Sequence, residues 1–347
     1  MKKILLALLA FFACNVAMNA TVYGDVNGDG TVNASDVTEL YNYFLNGDLT
    51  YAATCDVDGD GTITSYDITE LYNILLGNTT PPEEGVTEYT VNGVTFKMVD
   101  VEGGTFIMGI DQHIGSAYPP HEVTLSSYSI GQTEVTQELW VAVMGSNPSY
   151  CNEYGNADVH SNHATWDAGI NLQRPVEYVN YGDCLAFCAK LNEMTGLNFR
   201  IPTEAEWEFA ARGGNKSQGY VYAGSDSIND VAWYKGTEES PGTLPSMVLW
   251  TEGWGTQTVA TKAPNELGIY DMCGNVEEWC YDWFAPYSST AEPLTNPTGP
   301  ETGTYRAMRG GHFITTNPGL MKVYYRNQQN PDARGNSRGL RIALSAE

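Results

Sequence analysis

Oxygen-bearing side chains recur at alternate positions in two short segments near the start of the chain. The first segment reads DVNGDGTVNASD and the second reads DVDGDGTITSYD. Alternating carboxylate and amide oxygens, with a glycine where the backbone must turn sharply, are typical of a calcium loop. The spacing therefore predicts two such loops. Their ligands are Asp25, Asn27, Asp29, Thr31 and Asp36 in the first loop, and Asp56, Asp58, Asp60, Thr62 and Asp67 in the second.

Each predicted loop opens a helix. After Asp36 and after Asp67 the apolar residues recur at intervals of three and four, which is the period of one face of an α-helix. An alternative is a pair of acidic turns that cap the two helices without any ion. The duplication of every ligand position favours calcium binding over that alternative.

The arrangement of a loop closed by Asp and followed by one helix, present twice, resembles the dockerin module over residues 22–78. The resemblance implies a small all-α unit that binds two calcium ions and docks onto a cohesin-like partner. The pairs that would face a cohesin, Ala34-Ser35 and Ser65-Tyr66, differ between the two copies. An internal or stabilising role for the module therefore stays open.

The charge and the N-terminal segment narrow the classes of function. The chain of 347 residues has 17 Lys and Arg against 42 Asp and Glu, a formal net charge of -25, so no nucleic-acid partner is expected. Two lysines and an apolar run from Ile4 to Ala13, too short to span a bilayer, predict a signal peptide over residues 1–20. We expect a secreted or cell-surface protein without a transmembrane segment. Acylation of Cys14 to give a lipoprotein is the alternative.

A change of composition divides the remaining chain. Two prolines followed by acidic residues predict a short linker over residues 79–85, and residues 86–346 form a larger domain rich in Gly, Trp and Tyr. Helix stop signals lie at Gly145 and Gly196, and Thr203 with Glu206 three residues later predicts a capping box. The rest of the domain lacks a regular period and is expected to consist mostly of loops.

Six cysteines remain after the signal peptide, and an even number permits disulfides in an oxidising compartment. Cys184 and Cys188 lie on a predicted helix, while Cys273 and Cys280 flank a Gly-Asn turn. Bridges from the first pair to the second are one arrangement. The sequence does not fix the pairing.

Eight segments of the larger domain, taken together, are informative. They are GGTFIMG, PPHEVTL, EVTQELWVAVMGSNPS, RPVEYVN, FRIPTEAEWEFAARGG, NELGIYDMCGNVEEW, MRGGHF and RGLRIAL. In this order they resemble the formylglycine-generating, or sulfatase-modifying factor, family. The resemblance implies an α+β architecture, a compact variant of the C-type lectin-like fold with little regular structure. Some members of that family oxidise a sulfatase Cys with copper and oxygen, and others bind or scaffold.

The resemblance also implies a calcium site in the segment YDMCGNVEEW. Its ligands would be the side chains of Asp271 and Glu278 and the carbonyls of Gly274 and Val276. Two carboxylates at this spacing converge only if the Gly-Asn turn between them folds the chain back. A solvated acidic turn without an ion is the alternative.

The oxidase members carry two copper-binding cysteines after Arg-Gly-Gly, and this chain departs from that pattern. The segment RGGHFITTNPGLMKVYYR offers Thr315, Thr316, Asn317 and Leu320 there, and no Cys follows Cys280. Thr and Asn do not replace thiolates as ligands for copper(I). We therefore expect calcium but not copper, no catalytic residues, and a binding or scaffolding role. The alternatives are a formylglycine-generating oxidase with another site and a lectin-like binder of anionic glycans.

Basic residues gather in the same part of an otherwise acidic chain. Arg forks match carboxylate, sulfate and phosphate, which suggests a groove for an anionic glycan or acidic peptide. The alternative is internal pairing with carboxylates such as Glu204, Glu206 and Glu208. The best candidates for ligand contact are Arg309, His312 and Arg326.

Overall fold

The computed structural model describes residues 24–46, 55, 57, 63, 65–76, 85–111, 115–151, 171–236, 242–244, 255–288 and 293–345. The chain divides into two compact units at the boundary between Glu84 and Gly85. The predicted signal peptide lies outside the described residues. Among the helices described, none combines the length and apolar character that crossing a membrane requires.

The N-terminal unit contains the helices α1 (Ala34–Asn46) and α2 (Ser65–Leu75). Residues of both helices and of the segments before them form its core, because the apolar side chains at three and four spacing share one face. Val26, Leu40 and Leu71 are fully buried there. Asp36 and Asp67, the closing residues of the two predicted loops, lie in the first turns of α1 and α2, so each helix begins within the last three positions of its predicted loop.

The C-terminal unit mixes short strands with four helices in the described residues and is α+β, as expected. Its helices are α3 (Gln137–Met144), α4 (Tyr181–Thr195), α5 (Glu204–Ala211) and α6 (Ile228–Val231). Its first strands are β1 (Val86–Val91), β2 (Val94–Val101), β3 (Gly104–Met108), β4 (His121–Leu125), β5 (Tyr128–Gly131), β6 (Phe199–Arg200) and β7 (Ala232–Trp233). The later strands are β8 (Cys273–Gly274), β9 (Glu277–Trp283), β10 (Leu294–Thr295), β11 (Arg306–Arg309), β12 (Asn327–Gln329), β13 (Arg338–Gly339) and β14 (Ala343–Ser345).

The strands form four small sheets. The five-stranded sheet has the order β1-β2-β5-β14-β6, and the four-stranded sheet has the order β12-β11-β9-β13. A three-stranded sheet, β10-β4-β3, and the pair β7-β8 complete the described sheets. In the four-stranded sheet β11 runs antiparallel to β9, which sets Arg309 opposite Glu278. This register brings the late basic segment against the predicted calcium turn.

Local capping signals explain where the helices begin and end. Asn180 caps α4 through a capping box with Asp183, and Thr203 caps α5 through a capping box with Glu206. The helices α3 and α4 end at Gly145 and Gly196, both in the left-handed conformation that glycine adopts without strain. The predicted stop signals and the predicted α5 capping box are confirmed.

The cysteines form no bridges in this structure. All six described thiols are free, and all six are buried. The Cys273 thiol instead donates to the Met321 carbonyl at 3.0 Å. The bridges between the Cys184/Cys188 pair and the Cys273/Cys280 pair that the sequence allowed are therefore not formed.

Candidate functional site

Arg309 occupies the interior beneath the segment that lacks the copper cysteines. It is fully buried at the end of β11. All five of its N–H groups meet acceptors: Glu204 Oε1 at 2.8 Å, Glu208 Oε2 at 2.6 Å, the Tyr287 hydroxyl at 3.2 Å, and the Val323 and Tyr325 carbonyls at 3.1 Å. A guanidinium group has five donors. None of them remains for a ligand.

Arg326 pairs with the same acid. Its Nε and Nη2 each donate to a Glu204 carboxylate oxygen at 2.6 Å, and its Nη1 donates to the carbonyls of Ser116 and Ala285. The guanidinium also stacks 3.7 Å from the ring centroid of Tyr287. A cavity of about 140 Å³ borders Arg326, so it is next to open space although it is buried.

This cluster of two acids and two arginines is electrostatically matched. Burial alone would raise the pKa of the Glu204 carboxyl, but Arg326 and Arg309 outweigh burial and hold that pKa below its ordinary value. Arg309 and Arg212 lower the pKa of Glu208 in the same way. The geometry does not support the predicted contact of Arg309 with a ligand, because all donors of its guanidinium bond to protein groups. Arg309 instead forms the internal pairs with Glu204 and Glu208 that the sequence analysis gave as the alternative.

His312 lies in the segment where the oxidases carry their cysteines. Its backbone N–H donates to Thr315 Oγ1 at 3.2 Å, and its Nδ1 is 3.4 Å from the same oxygen. Burial, and then the positive charge of Arg338, lower the pKa of His312 to about 4. The imidazole is therefore neutral at pH 7, and it does not add a positive charge to an anion site.

Glu177 is a buried acid that the sequence did not single out. Its Oε1 accepts from the backbone N–H of Cys151 at 2.5 Å, and its Oε2 has no partner among the described residues. Cys151 belongs to the same small apolar cluster as Phe313, which adjoins His312. Burial raises the pKa of Glu177 to about 8, so its carboxyl keeps its proton at pH 7.

The predicted calcium turn folds back as its sequence requires. Asp271, Gly274 and Asn275 have φ values of 58°, 85° and 54°, all in the left-handed region. A Cβ at Gly274 would lie 2.5 Å from the Trp233 carbonyl oxygen, so the turn needs glycine there. Asp271 and Glu278 are both buried, on either side of this turn.

A third carboxylate joins the turn from a distant part of the chain. Glu134 accepts from the backbone N–H of Val276 at 2.9 Å and from the Asn275 amide at 2.8 Å. Burial raises the pKa of Asp271 to about 6, with a further contribution from Glu278. Burial, Asp271 and Glu278 likewise raise the pKa of Glu134 well above its ordinary value. Both shifts result mainly from burial, and the neighbouring carboxylates add to them.

Glu278 is the most fully bonded carboxylate at the turn, since Trp207 Nε1 donates to its Oε2 at 2.7 Å and Arg341 donates to both of its oxygens. Arg341 pairs with Glu278 through Nη2 at 2.8 Å, and it faces three carboxylates as a single positive charge. The side chains of Asp271 and Glu278 and the carbonyls of Gly274 and Val276 would supply only oxygen ligands, the set that calcium prefers. A bound calcium ion would offset the buried negative charge.

In the first predicted loop of the N-terminal unit the carboxylates of Asp25 and Asp36 are buried, whereas that of Asp29 is exposed. Asp25 accepts from the backbone N–H groups of Asp29 and Gly30 at 3.0 and 2.7 Å. Asp36 is fully buried and accepts from the N–H groups of Asn27 and Asn33. Thr31 donates to Asp29 through its backbone and its hydroxyl. Gly30, with φ of 88°, makes the sharp turn that the loop pattern requires.

Less of the second loop can be compared with its prediction. Asp56, Asp58, Asp60 and Thr62 lie outside the described residues. Asp67 is fully buried and accepts from the Val57 N–H at 2.7 Å, a contact like that of Asp36 with Asn27. Within the described ranges, no group of three or more His, Cys, Asp and Glu side chains is arranged to hold a metal ion.

We expect the Arg309→Met substitution to lower the free energy of unfolding by about 3 to 5 kcal/mol, because it leaves buried carboxylates short of a partner. Urea denaturation of the purified protein measures the change. Arg334→Met is the matched control, since Arg334 is exposed and pairs with Asp183 at the surface; it should cost less than about 1 kcal/mol. Equal midpoints for wild type and Arg309→Met would contradict a stabilising role for the cluster.

Glu177 predicts a pH dependence of stability. Below about pH 4.5 the Glu177 carboxyl is protonated in both the folded and the unfolded protein. As the pH rises towards about 8, this carboxyl ionises only in the unfolded protein, which favours unfolding. Glu177→Gln keeps an oxygen that accepts from the Cys151 N–H. It should remove this loss of folding stability, which is on the order of a few kcal/mol between pH 5 and 8. Urea melts across this range test it. The exposed Glu122→Gln is the control, and parallel profiles for wild type and Glu177→Gln would contradict the prediction.

Comparisons with known proteins place this geometry in a family. Residues 85–346 match the sulfatase-modifying factor enzyme 1-like domain, and residues 23–76 match the dockerin type I domain. The chaperone protein LppX of Paenibacillus barcinonensis is 33% identical over 275 residues, which are 73% of this chain and 90% of that protein. The formylglycine-generating enzyme of Streptomyces coelicolor is 28% identical over 291 residues, which are 72% of this chain and 89% of that protein.

Two solved structures share the fold. Treponema denticola variable protein 1 has a TM-score of 0.61 and 31% identity, with 77% of this chain and 100% of that chain covered. PvdO from Pseudomonas aeruginosa has a TM-score of 0.57 and 24% identity, with 75% and 98% covered. Since the domain match spans most of the chain and LppX covers it at 33% identity, this chain belongs to the sulfatase-modifying factor enzyme 1-like family and carries a dockerin type I domain in front.

Proposed function

We propose that this protein is a secreted, calcium-binding member of its family that binds another molecule and does not oxidise cysteine. The observation that carries the proposal is the residue content of the segment from Arg309 to Arg326. Thr315 and its neighbours stand where the oxidases carry thiols, and His312 beside them is a neutral imidazole. Neither hydroxyl nor amide oxygens suit copper(I), which prefers thiolates.

Calcium has two proposed places in the chain. In the larger domain it would be held by Asp271, Glu278 and the carbonyls of Gly274 and Val276, where it would offset buried negative charge. In the front module the two acidic loops would each hold one ion. Dockerin type I domains generally bind calcium, which supports this assignment. The ions would stabilise the turn and the loops; no reaction step is assigned to them.

The front module supports an extracytoplasmic role. Dockerin type I domains generally bind cohesin partners, and proteins that contain them are typically extracellular. We propose that the module attaches the larger domain to a cohesin-like protein outside the cytoplasm. The signal peptide predicted over residues 1–20 agrees with this location, and acylation at Cys14 remains the alternative way to hold the protein at a surface.

A second candidate function comes from the relative named a chaperone. LppX is 33% identical to this chain and matched over 90% of its length, so the likeness covers nearly the whole of that protein. A chaperone works by binding and needs neither copper nor a catalytic thiol. This candidate is therefore consistent with the residues from Arg309 to Arg326, and it specifies an unfolded or partly folded protein as the bound molecule.

Metal content and oxygen consumption test the main proposal together. The mature protein is equilibrated with calcium and copper(I), its metals are counted by mass spectrometry, and oxygen uptake is followed with a Cys-containing sulfatase-type peptide. We expect bound calcium, no retained copper and no peptide oxidation. Asp271→Asn keeps the acceptor for the Ala260 N–H and tolerates the left-handed backbone, but removes one charge; it should lose one calcium ion.

Asp100→Asn, which alters an exposed acid, is the matched control for calcium content. Copper retention with oxidation of the peptide would overturn the proposal, because it would place the oxidase chemistry on residues other than thiols at the altered segment. Full calcium content in Asp271→Asn would show instead that the turn is not the ion site.

The chaperone candidate is tested by suppression of aggregation. Reduced lysozyme is allowed to aggregate with and without an equimolar amount of the mature protein, and light scattering is recorded. If the protein acts as a chaperone, we expect the scattering to fall in proportion to the amount of protein added. An equal mass of serum albumin should have no comparable effect. Unchanged scattering would remove this candidate and leave the partner to be sought among folded proteins.

A further inference from the structure

An open cleft is lined by residues other than the proposed calcium ligands and the four residues of the buried arginine cluster. Its volume is about 470 Å³, within the range of small-ligand sites. The end of β4, the start of α5 and the middle of β9 meet around it. The residues used below are among its lining: Ser127, Arg200, Glu206, Tyr281, Asn296 and Ser345.

Tyr281 supplies an exposed aromatic ring to this cleft. It is the exposed residue of β9, whose six other side chains are buried or half-buried, and it is 45% exposed. Arg306 donates to its carbonyl and stacks on Trp283, 3.7 Å from that ring centroid. The backbone that carries Tyr281 is therefore fixed. The Arg306 guanidinium also lies 5.8 Å from the centroid of the Tyr281 ring, and the exposed part of the ring offers an apolar surface with a polar hydroxyl.

A planar ion pair forms another wall. Arg200 Nη1 donates to Glu206 Oε2 at 2.7 Å, and Nη2 donates to Oε1 at 2.6 Å. Glu206 also accepts from the Thr203 N–H, so the pair is held by the α5 capping box. Arg200 remains 31% exposed in its side chain. The two charges offset one another, and the wall therefore favours an uncharged ligand.

Hydroxyl and amide groups keep donors for a ligand. Ser345 Oγ accepts from Arg200 Nε at 3.0 Å, and Ser127 Oγ accepts from the Gly103 N–H at 3.0 Å. Each of these bonds uses an oxygen lone pair and leaves the hydroxyl hydrogen. Asn296 Nδ2 donates to Ser126 Oγ through one of its two hydrogens. The second hydrogen is not needed for that contact.

We propose that this cleft binds a neutral saccharide. A pyranose ring has an apolar C–H face that matches the Tyr281 ring, and an edge of adjacent hydroxyls that matches planar Arg, Glu and Asn groups. An apolar ligand would bury the cleft hydroxyls without partners, which is costly. A charged ligand would find no net opposite charge at the Arg200–Glu206 pair. The inference goes beyond the proposed function, since it uses neither the calcium ligands nor the altered segment.

Saturation-transfer NMR on the mature full-length protein tests the inference. The probes are maltotriose, cellotriose and, as a charged comparison, trigalacturonate. We expect transfer to the ring protons of at least one neutral trisaccharide. Tyr281→Ala should weaken this binding about tenfold or more, and Tyr281→Phe, which keeps the stacking face, should weaken it much less. Tyr305→Ala alters another exposed tyrosine, which does not line the cleft, and should bind as wild type does.

Three outcomes would overturn the inference: no transfer to either neutral trisaccharide, equal binding by wild type and Tyr281→Ala, or transfer to trigalacturonate alone. Calcium content measured on the same samples separates this result from the proposed function. If the Tyr281→Ala protein keeps its calcium but no longer binds the saccharide, the substitution has removed the binding site in the cleft and has left the fold intact.

Discussion

The buried pairing of Glu204 and Glu208 with Arg309 and Arg326 is the interaction on which the larger domain depends. Removing charges from water is costly, and their mutual attraction offsets that cost only where geometry and hydrogen bonding are nearly complete. Here Arg309 has all five donors engaged, and Arg326 meets Glu204 through two parallel bonds. The cluster joins α5 to β11 and to the chain that follows β11. It therefore fixes the segment from Arg309 to Arg326 from both ends.

The buried carboxylates at the predicted calcium turn have a different environment. At the turn between Asp271 and Glu278, three carboxylates face Arg341, and burial raises the pKa of Asp271 and of Glu134. Glu204 and Glu208 have lowered pKa values in an equally buried setting because each meets arginine. A cation bound at the turn would offset the charge of its carboxylates, as arginine does in the cluster.

Local chemistry was predictable from the sequence, and distant pairing was not. The α5 capping box, the glycine helix ends and the folded-back turn depend on residues within a few positions of one another, so their spacing in the sequence was enough to predict them. The α4 capping box of Asn180 and Asp183 is equally local but was not predicted. Arg309 meets Glu204 across 105 residues and Glu134 meets Val276 across 142 residues. No periodicity connects such positions. Charge composition suggested that Arg309 and Arg326 could pair with Glu204 or Glu208, but only the fold distinguishes an interior pair from a ligand contact.

The same separation explains how one fold accommodates relatives named as a formylglycine-generating enzyme and as a chaperone protein. The residues that build the interior, Arg309 and the acids of α5, lie beside the positions where the oxidases carry cysteines and do not include them. The Thr315 side chain bonds to His312 within the same loop, and its carbonyl accepts from the Gly236 N–H at 3.1 Å. Neither contact involves the buried cluster, so a different side chain at this position leaves the cluster intact. The loss of copper ligands therefore does not require loss of the fold. A binding surface elsewhere, such as the cleft beside Tyr281, can then carry function on a framework whose stability is decided in its interior.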